Sequence, residues 1–310
     1  MTIPSISGGI FNFVITGYSP STWSGATYNI EEGTPSGYIL NQVWVDSEYA
    51  YSVGDDGLNI YELVDESEYF SIEYSGGFST IWGNDDYIFL GTSDSGVKYI
   101  DKTSISGGLN NLSNLTYYST LTSETISYIH GYNDKILCVT NSGIDVVKLD
   151  PQSYRSFTTI NGANKCFMNS DEEIYYTVLN GVDWTIYKVN SITHDWNIPD
   201  KIYDIFEGVT INDIFVDSGM IYTATSNGVY VIDESNDTYS VLTTVSGIKG
   251  SSNNFSSVWI LNNKMYVSSD DTLTVVDLLT NIVHDWYSQT HIGRANESLD
   301  NDSIVDIIVG

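Results

Sequence analysis

The chain repeats itself, and the repeat constrains its fold more than any other property of the sequence. One unit reads Val43-Trp44-Val45-Asp46-Ser47-Glu48-Tyr49-Ala50-Tyr51-Ser52-Val53, then Asp55-Asp56-Gly57, then Leu58-Asn59-Ile60-Tyr61. The next reads Ile81-Trp82-Gly83-Asn84-Asp85-Asp86-Tyr87-Ile88-Phe89-Leu90-Gly91-Thr92, then Ser95-Gly96-Val97-Lys98-Tyr99-Ile100-Asp101. Units lie near 43–65, 81–101, 129–150, 166–190, 214–233 and 258–277. Their spacing, roughly 38 to 48 residues, is that of four-stranded propeller blades. Each unit has a short apolar strand, a polar turn rich in Asp, Asn or Ser, a second strand of aromatic and aliphatic residues, and a turn that usually contains Gly. A third strand follows and often ends in Asp. Asn, Asp and Gly supply the positive φ angles that tight hairpins need, and β-branched and aromatic residues suit half-buried strand faces.

One such sheet cannot bury both faces alone, so the units are expected to stack radially as one domain over residues 1–310. The sequence predicts an all-β, seven-bladed β-propeller. Its seventh blade is assembled from 302–310 and 9–30: Asp302-Ser303-Ile304-Val305-Asp306-Ile307-Ile308-Val309-Gly310 reads as a first strand, and Gly9-Ile10-Phe11-Asn12-Phe13-Val14-Ile15-Thr16-Gly17 as a second. Pairing the N- and C-terminal strands would close the ring and remove an open sheet edge.

Three phrases carry a family resemblance: Asn301-Asp302-Ser303-Ile304-Val305-Asp306-Ile307, Phe89-Leu90-Gly91-Thr92, and Asn227-Gly228-Val229-Tyr230-Val231-Ile232-Asp233. They resemble the short propeller repeats of the sensor regions of bacterial two-component regulators. The resemblance implies a fold and no fixed function. Ile214-Phe215-Val216, with the phrase from Gly228 to Asp233, is also similar to propeller proteins that are virion structural components of marine tailed phages.

Charge narrows the partners. Forty acidic side chains against eleven Lys plus Arg give a formal net charge of -29. Phosphate recognition needs a basic stripe, so nucleic acid is not an expected partner, and an anionic membrane surface is disfavoured likewise. No stretch is long and apolar enough to insert into a membrane. The N-terminus lacks the basic and apolar regions of an export signal. Cys138 and Cys166 sit in apolar runs and are expected as buried free thiols.

No constellation of catalytic residues stands out. His194-Asp195-Trp196 and His284-Asp285-Trp286 occupy matching places in two units, which points to a shared structural role, since neighbouring strand residues face opposite sides. Asp-rich turns at Asp55-Asp56-Gly57, Asn84-Asp85-Asp86 and Asp270-Asp271 lack a full calcium loop; Asp300, Asp302 and Asp306 form the best calcium candidate. No cofactor is expected. Trp44, Trp82 and Trp259 share one first-strand column and read as packing between blades, leaving Trp23, Trp184, Trp196 and Trp286 as candidates for a ligand face. The expectation is a non-enzymatic binding or structural module. Its place is a virion, where it contacts other virion or surface proteins, a host receptor or a glycan. The alternative is an extracellular carbohydrate-binding or glycan-cleaving propeller.

Overall fold

The computed structural model describes residues 2–5, 29–32 and, with breaks of which 63–68, 108–115 and 191–197 are the longest, 40–285. Among the described residues six four-stranded antiparallel sheets follow one another along the chain, each a simple meander of consecutive strands. We number them I (residues 40–73), II (80–117), III (126–157), IV (163–206), V (211–242) and VI (255–285). Thr2–Ser5 pairs with Asn29–Glu32 in parallel, as a separate two-stranded element. The seventh blade expected from 302–310 and 9–30 lies outside the described residues, apart from the start of this second strand. No helix among the described residues is long and apolar enough to cross a membrane.

Each repeat unit maps onto the first three strands of a sheet. The turns follow the expected chemistry: Asn133, Ser218 and Asn263 adopt φ of 53°, 52° and 59° between first and second strands. Gly57, Gly143 and Gly228 open the third strands with φ of 137°, 136° and 122°. At Gly57 an added Cβ would lie 2.0 Å from the Ile72 carbonyl oxygen, so only glycine fits.

The core lies between sheets. Tyr51, Leu58 and Ile60 of sheet I pack with Ile81, Ile88 and Leu90 of sheet II. Equivalent clusters join II to III, III to IV, IV to V and V to VI. Trp259 of sheet VI packs against the cluster shared by I and II. A fully buried aliphatic side chain contributes about 1.5–3 kcal/mol, so no single sheet has to be stable alone.

The first strands are Leu40–Val45, Thr80–Gly83, Ile126–Tyr132, Ala163–Met168, Ile211–Asp217 and Phe255–Leu261. They touch in succession around an axis, and side-chain hydrogen bonds run from each to the next. Asn41 Nδ2 donates to the Phe78 carbonyl (2.8 Å), Asn164 Nδ2 to that of Ile211 (3.4 Å) and Asn212 Nδ2 to that of Phe255 (2.7 Å). Ser79 does the same to Ile126. One residue further on, Gln42 Oε1 accepts from Thr80 Oγ1 (2.7 Å) and Ile81 N (2.8 Å), and Thr80 Oγ1 accepts from Ile129 N (3.1 Å). Asp213 Oδ2 accepts from Ser257 Oγ (2.8 Å) and Val258 N (3.1 Å). In four of the six sheets a register shift falls immediately before this second position, and in sheet IV the shift spans it. A bulge there re-aims the side chains toward the neighbouring sheet.

Close packing limits the residues that can follow. A Cβ on Gly131 would lie 2.6 Å from the Lys135 carbonyl oxygen and 2.7 Å from the Trp82 ring. Gly131→Ala is therefore expected to lower stability by about 1–3 kcal/mol, read as a lower midpoint of urea unfolding with an unchanged slope.

Candidate functional site

The residue after a buried Val, Ile or Cys of each first strand is a ring: Trp44, Trp82, His130, Phe167, Phe215 and Trp259. These six side chains form the floor of a funnel of about 880 Å³ at one end of the axis. From Trp82 to Trp259 successive rings touch, with centroids 6.4 Å apart for Trp82 and His130, 4.2 Å for His130 and Phe167, 4.8 Å for Phe167 and Phe215, and 4.6 Å for Phe215 and Trp259. The small residues Gly83 and Gly131 let Trp44 and Trp82 lie over the next sheet. Beneath the floor a cavity of about 10 Å³ is lined by residues of all six first strands, room for about one water.

His130 is buried, and its Nδ1 accepts from Met168 N (3.2 Å), which places the imidazole proton on Nε2. Burial pushes its pKa down to about 3, so the ring is neutral in ordinary buffers. Burial also raises the Asp213 carboxyl, against the opposing charge of Lys165 and the hydrogen bonds it accepts.

The rim is polar. It is formed by the turn from Asn169 to Glu173, the turn from Asp217 to Gly219, and Asp233, Glu234 and Ser235. Lys188 Nζ bridges Glu173 (2.9 Å) and Glu234 (3.1 Å), tying sheet IV to sheet V. Tyr203 and Tyr175 also direct their hydroxyls to Glu234, at 2.6 and 2.8 Å. Burial and these carboxylates drive both phenols well above the usual tyrosine range. Burial alone would raise Glu173; hydrogen bonds from Lys188 and Asn169 outweigh it and hold the carboxyl low. The Glu173 carboxylate is thus held ionised, and both it and Glu234 are occupied by donors, which clamp sheet IV to sheet V.

Neither a protein-family model nor a curated protein matches this sequence. Solved structures do. The extracellular domain of BT3049, described as a hybrid two-component system of B. thetaiotaomicron, superposes with a TM-score of 0.64 at 14% identity, covering 86% of this chain and 36% of that one. The extracellular domain of BT4673 from the same organism, described as a one-component system, gives 0.62 at 14% identity over 87% of this chain and 35% of that one. The computationally designed Ika8 protein gives 0.57 at 11% identity, over 82% and 75%. This chain is β-propeller-like in fold. It spans about a third of the length of those two extracellular domains, and at such identities the likeness is one of fold alone.

Within this propeller-like frame the sequence-derived candidates fall in different places. Trp184 is half-buried against the core between sheets IV and V and does not line the funnel. Trp23, Trp196, Trp286, Asp300, Asp302 and Asp306 lie outside the described residues, as do His194 and Asp195. His284 and Asp285 lie on the outer strand of sheet VI. Asn84 Oδ1 accepts from Asp86 N (3.0 Å) and Tyr87 N (2.8 Å), so turn formation accounts for that Asp-rich stretch. Among the described residues no three His, Cys, Asp or Glu side chains converge on a metal-sized site. Cys138 and Cys166 are buried free thiols. The tryptophans read as packing, Trp44, Trp82 and Trp259, do pack between sheets and also line the funnel.

The depressed His130 pKa fixes a pH dependence. Above about pH 6.5 the imidazole is neutral whether the chain is folded or not. Between 6.5 and about 3 the unfolded chain takes up a proton that the folded one refuses, so stability falls by up to about 1.4 kcal/mol per pH unit. Urea unfolding of the wild type and His130→Gln should therefore differ in pH slope below pH 6.5 and run parallel above it. Parallel curves throughout would contradict the assignment.

Proposed function

We propose that the chain is a non-enzymatic binding module whose ligand face is the axial funnel. The observation that carries this is a preformed concavity with an aromatic floor and a polar rim, the form of a small-ligand site. Its two most enclosed rim carboxylates, Glu173 and Glu234, are held by Lys188 and tyrosine hydroxyls, which supports recognition rather than acid–base chemistry. Display outside the cell is supported by the extracellular domains that share the fold and by the acidic, lysine-poor composition. Within that setting the virion placement rests on sequence resemblance, with virion or surface proteins, a host receptor or a glycan as partners. Mass spectrometry of purified virions lacking the protein would remove it.

A panel of soluble glycans and small metabolites, read by thermal shift and by product analysis, tests the central reading. A ligand at a hundred times its Kd should add about 2.7 kcal/mol and raise the melting temperature without being converted. Hydrolysis of a glycan that is lost in Glu173→Gln would instead favour the glycan-cleaving alternative.

We also propose that sheet VI closes directly on sheet I, giving a ring of six. The packing of Trp259 against the cluster of sheets I and II supports this, as does the small axial cavity that touches all six first strands. The segment Asp302 to Gly310 has no aromatic residue to place in the column of rings. A chain ended at Asp285 is expected to unfold cooperatively with stability within about 2 kcal/mol of the full chain. Loss of cooperative unfolding would restore a seventh blade built from the C-terminal segment.

A further inference from the structure

We propose that the funnel recognises an organic ammonium group, quaternary or primary, carried on a small ligand or on a lysine side chain; this rests on the funnel being the ligand face. Three observations converge on that chemistry. The floor is made of rings, whose faces attract cations. The rim carries five carboxylates, Asp171, Glu173, Asp217, Asp233 and Glu234, against the single ammonium of Lys188. Lys188 is matched to Glu173 and Glu234, and no described Lys, Arg or His forms an ion pair with Asp171, Asp217 or Asp233.

The third observation comes from the chain's own lysines, which already use the same chemistry around the axis. Lys102 Nζ sits 4.5 Å from the Trp44 ring centroid with the Asp46 carboxylate 2.7 Å away, a ring and an acid gripping one ammonium. Lys165 Nζ sits 4.1 Å from the centroid of Tyr128, whose side chain lines the small axial cavity. Trp82, Phe215 and Trp259 offer comparable half-buried rings inside the funnel, with Asp217 close by on the turn that follows Phe215. His130 adds no competing positive charge, because it is neutral. The net charge of -29 favours the approach of cations over anions. A neutral ligand of the same shape would gain the apolar contact and forgo the electrostatic part, which is the basis of a direct test.

Titration of the full chain with choline, with its uncharged isostere 3,3-dimethylbutanol and with a short lysine-containing peptide, followed by tryptophan fluorescence, separates the two contributions. Saturable binding of an ammonium probe, with the isostere about tenfold weaker or worse, is the expected result. Asp171→Asn combined with Asp217→Asn changes only exposed side chains; it should weaken the ammonium probes about threefold or more and leave the isostere unchanged. Choline as the tighter probe assigns a free small ligand; the peptide as the tighter probe assigns a partner protein's lysine. Equal binding of choline and its isostere would overturn the ammonium assignment while leaving the funnel as a ligand site. No saturable response to either ammonium probe would also overturn it, and the glycan and metabolite panel then decides the binding reading separately.

Discussion

The structure depends on the hydrogen bonds that pass from one first strand to the next. A four-stranded meander has two faces and only its own strands to pair with, so it is stable only when both faces are covered. Apolar packing between sheets supplies most of the energy, yet it is non-directional and would tolerate sheets sliding past one another. Directional contacts fix their relative height: Asn41, Ser79, Asn164 and Asn212 each reach a carbonyl at the start of the next sheet. The bulges beside them explain how a strand fully paired on one edge still presents polar side chains to a neighbour. The aromatic floor follows from the same register, since Trp44, Trp82 and Phe215 lie two residues along the strand from the bonding side chains of Gln42, Thr80 and Asp213 and on the same side.

Charge is distributed to the same end. The chain has few cations, and several join adjacent sheets: Lys102 of sheet II to Asp46 of sheet I, Lys135 of III to Glu172 of IV, and Lys188 and Lys201 of IV to Glu234 and Asp237 of V. Lys188 and Glu234 are both largely shielded from solvent, where an ion pair resists screening. Glu172 and Asp237 are more exposed, so the pairs they form are weaker and more salt-sensitive. An acidic surface repels itself, and these junction lysines counter that repulsion where the sheets approach most closely.

Three strands of every sheet were legible in the sequence because they are buried and patterned. The fourth was not. Thr238–Leu242 is exposed along most of its length, and with one edge unpaired its residues face few packing demands that a pattern could record. The funnel was legible only in part. Trp44, Trp82 and Trp259 stood out as a column, but His130, Phe167 and Phe215 complete it with other ring types. The shared signal is an Asn or Ser, any residue, a buried Val, Ile or Cys, and then a ring, seen from Asn41-Gln42-Val43-Trp44 to Ser256-Ser257-Val258-Trp259. That six such rings meet is a consequence of radial stacking and cannot be read from any one unit. Trp184 illustrates the converse: being outside the column suggested exposure, yet its strand lies within sheet IV and its side chain packs against the neighbouring core.

The contact of Trp259 with the first two sheets sets an order of events. Every other junction joins sheets consecutive in sequence, so each forms by closing a short loop. This one brings the last described sheet to the first two, and in the proposed ring of six it forms only once the intervening sheets are stacked. In such a ring it would be the final step of folding and the natural seam along which the molecule first comes apart, much as a stave-built cask is tightened and loosened at one joint.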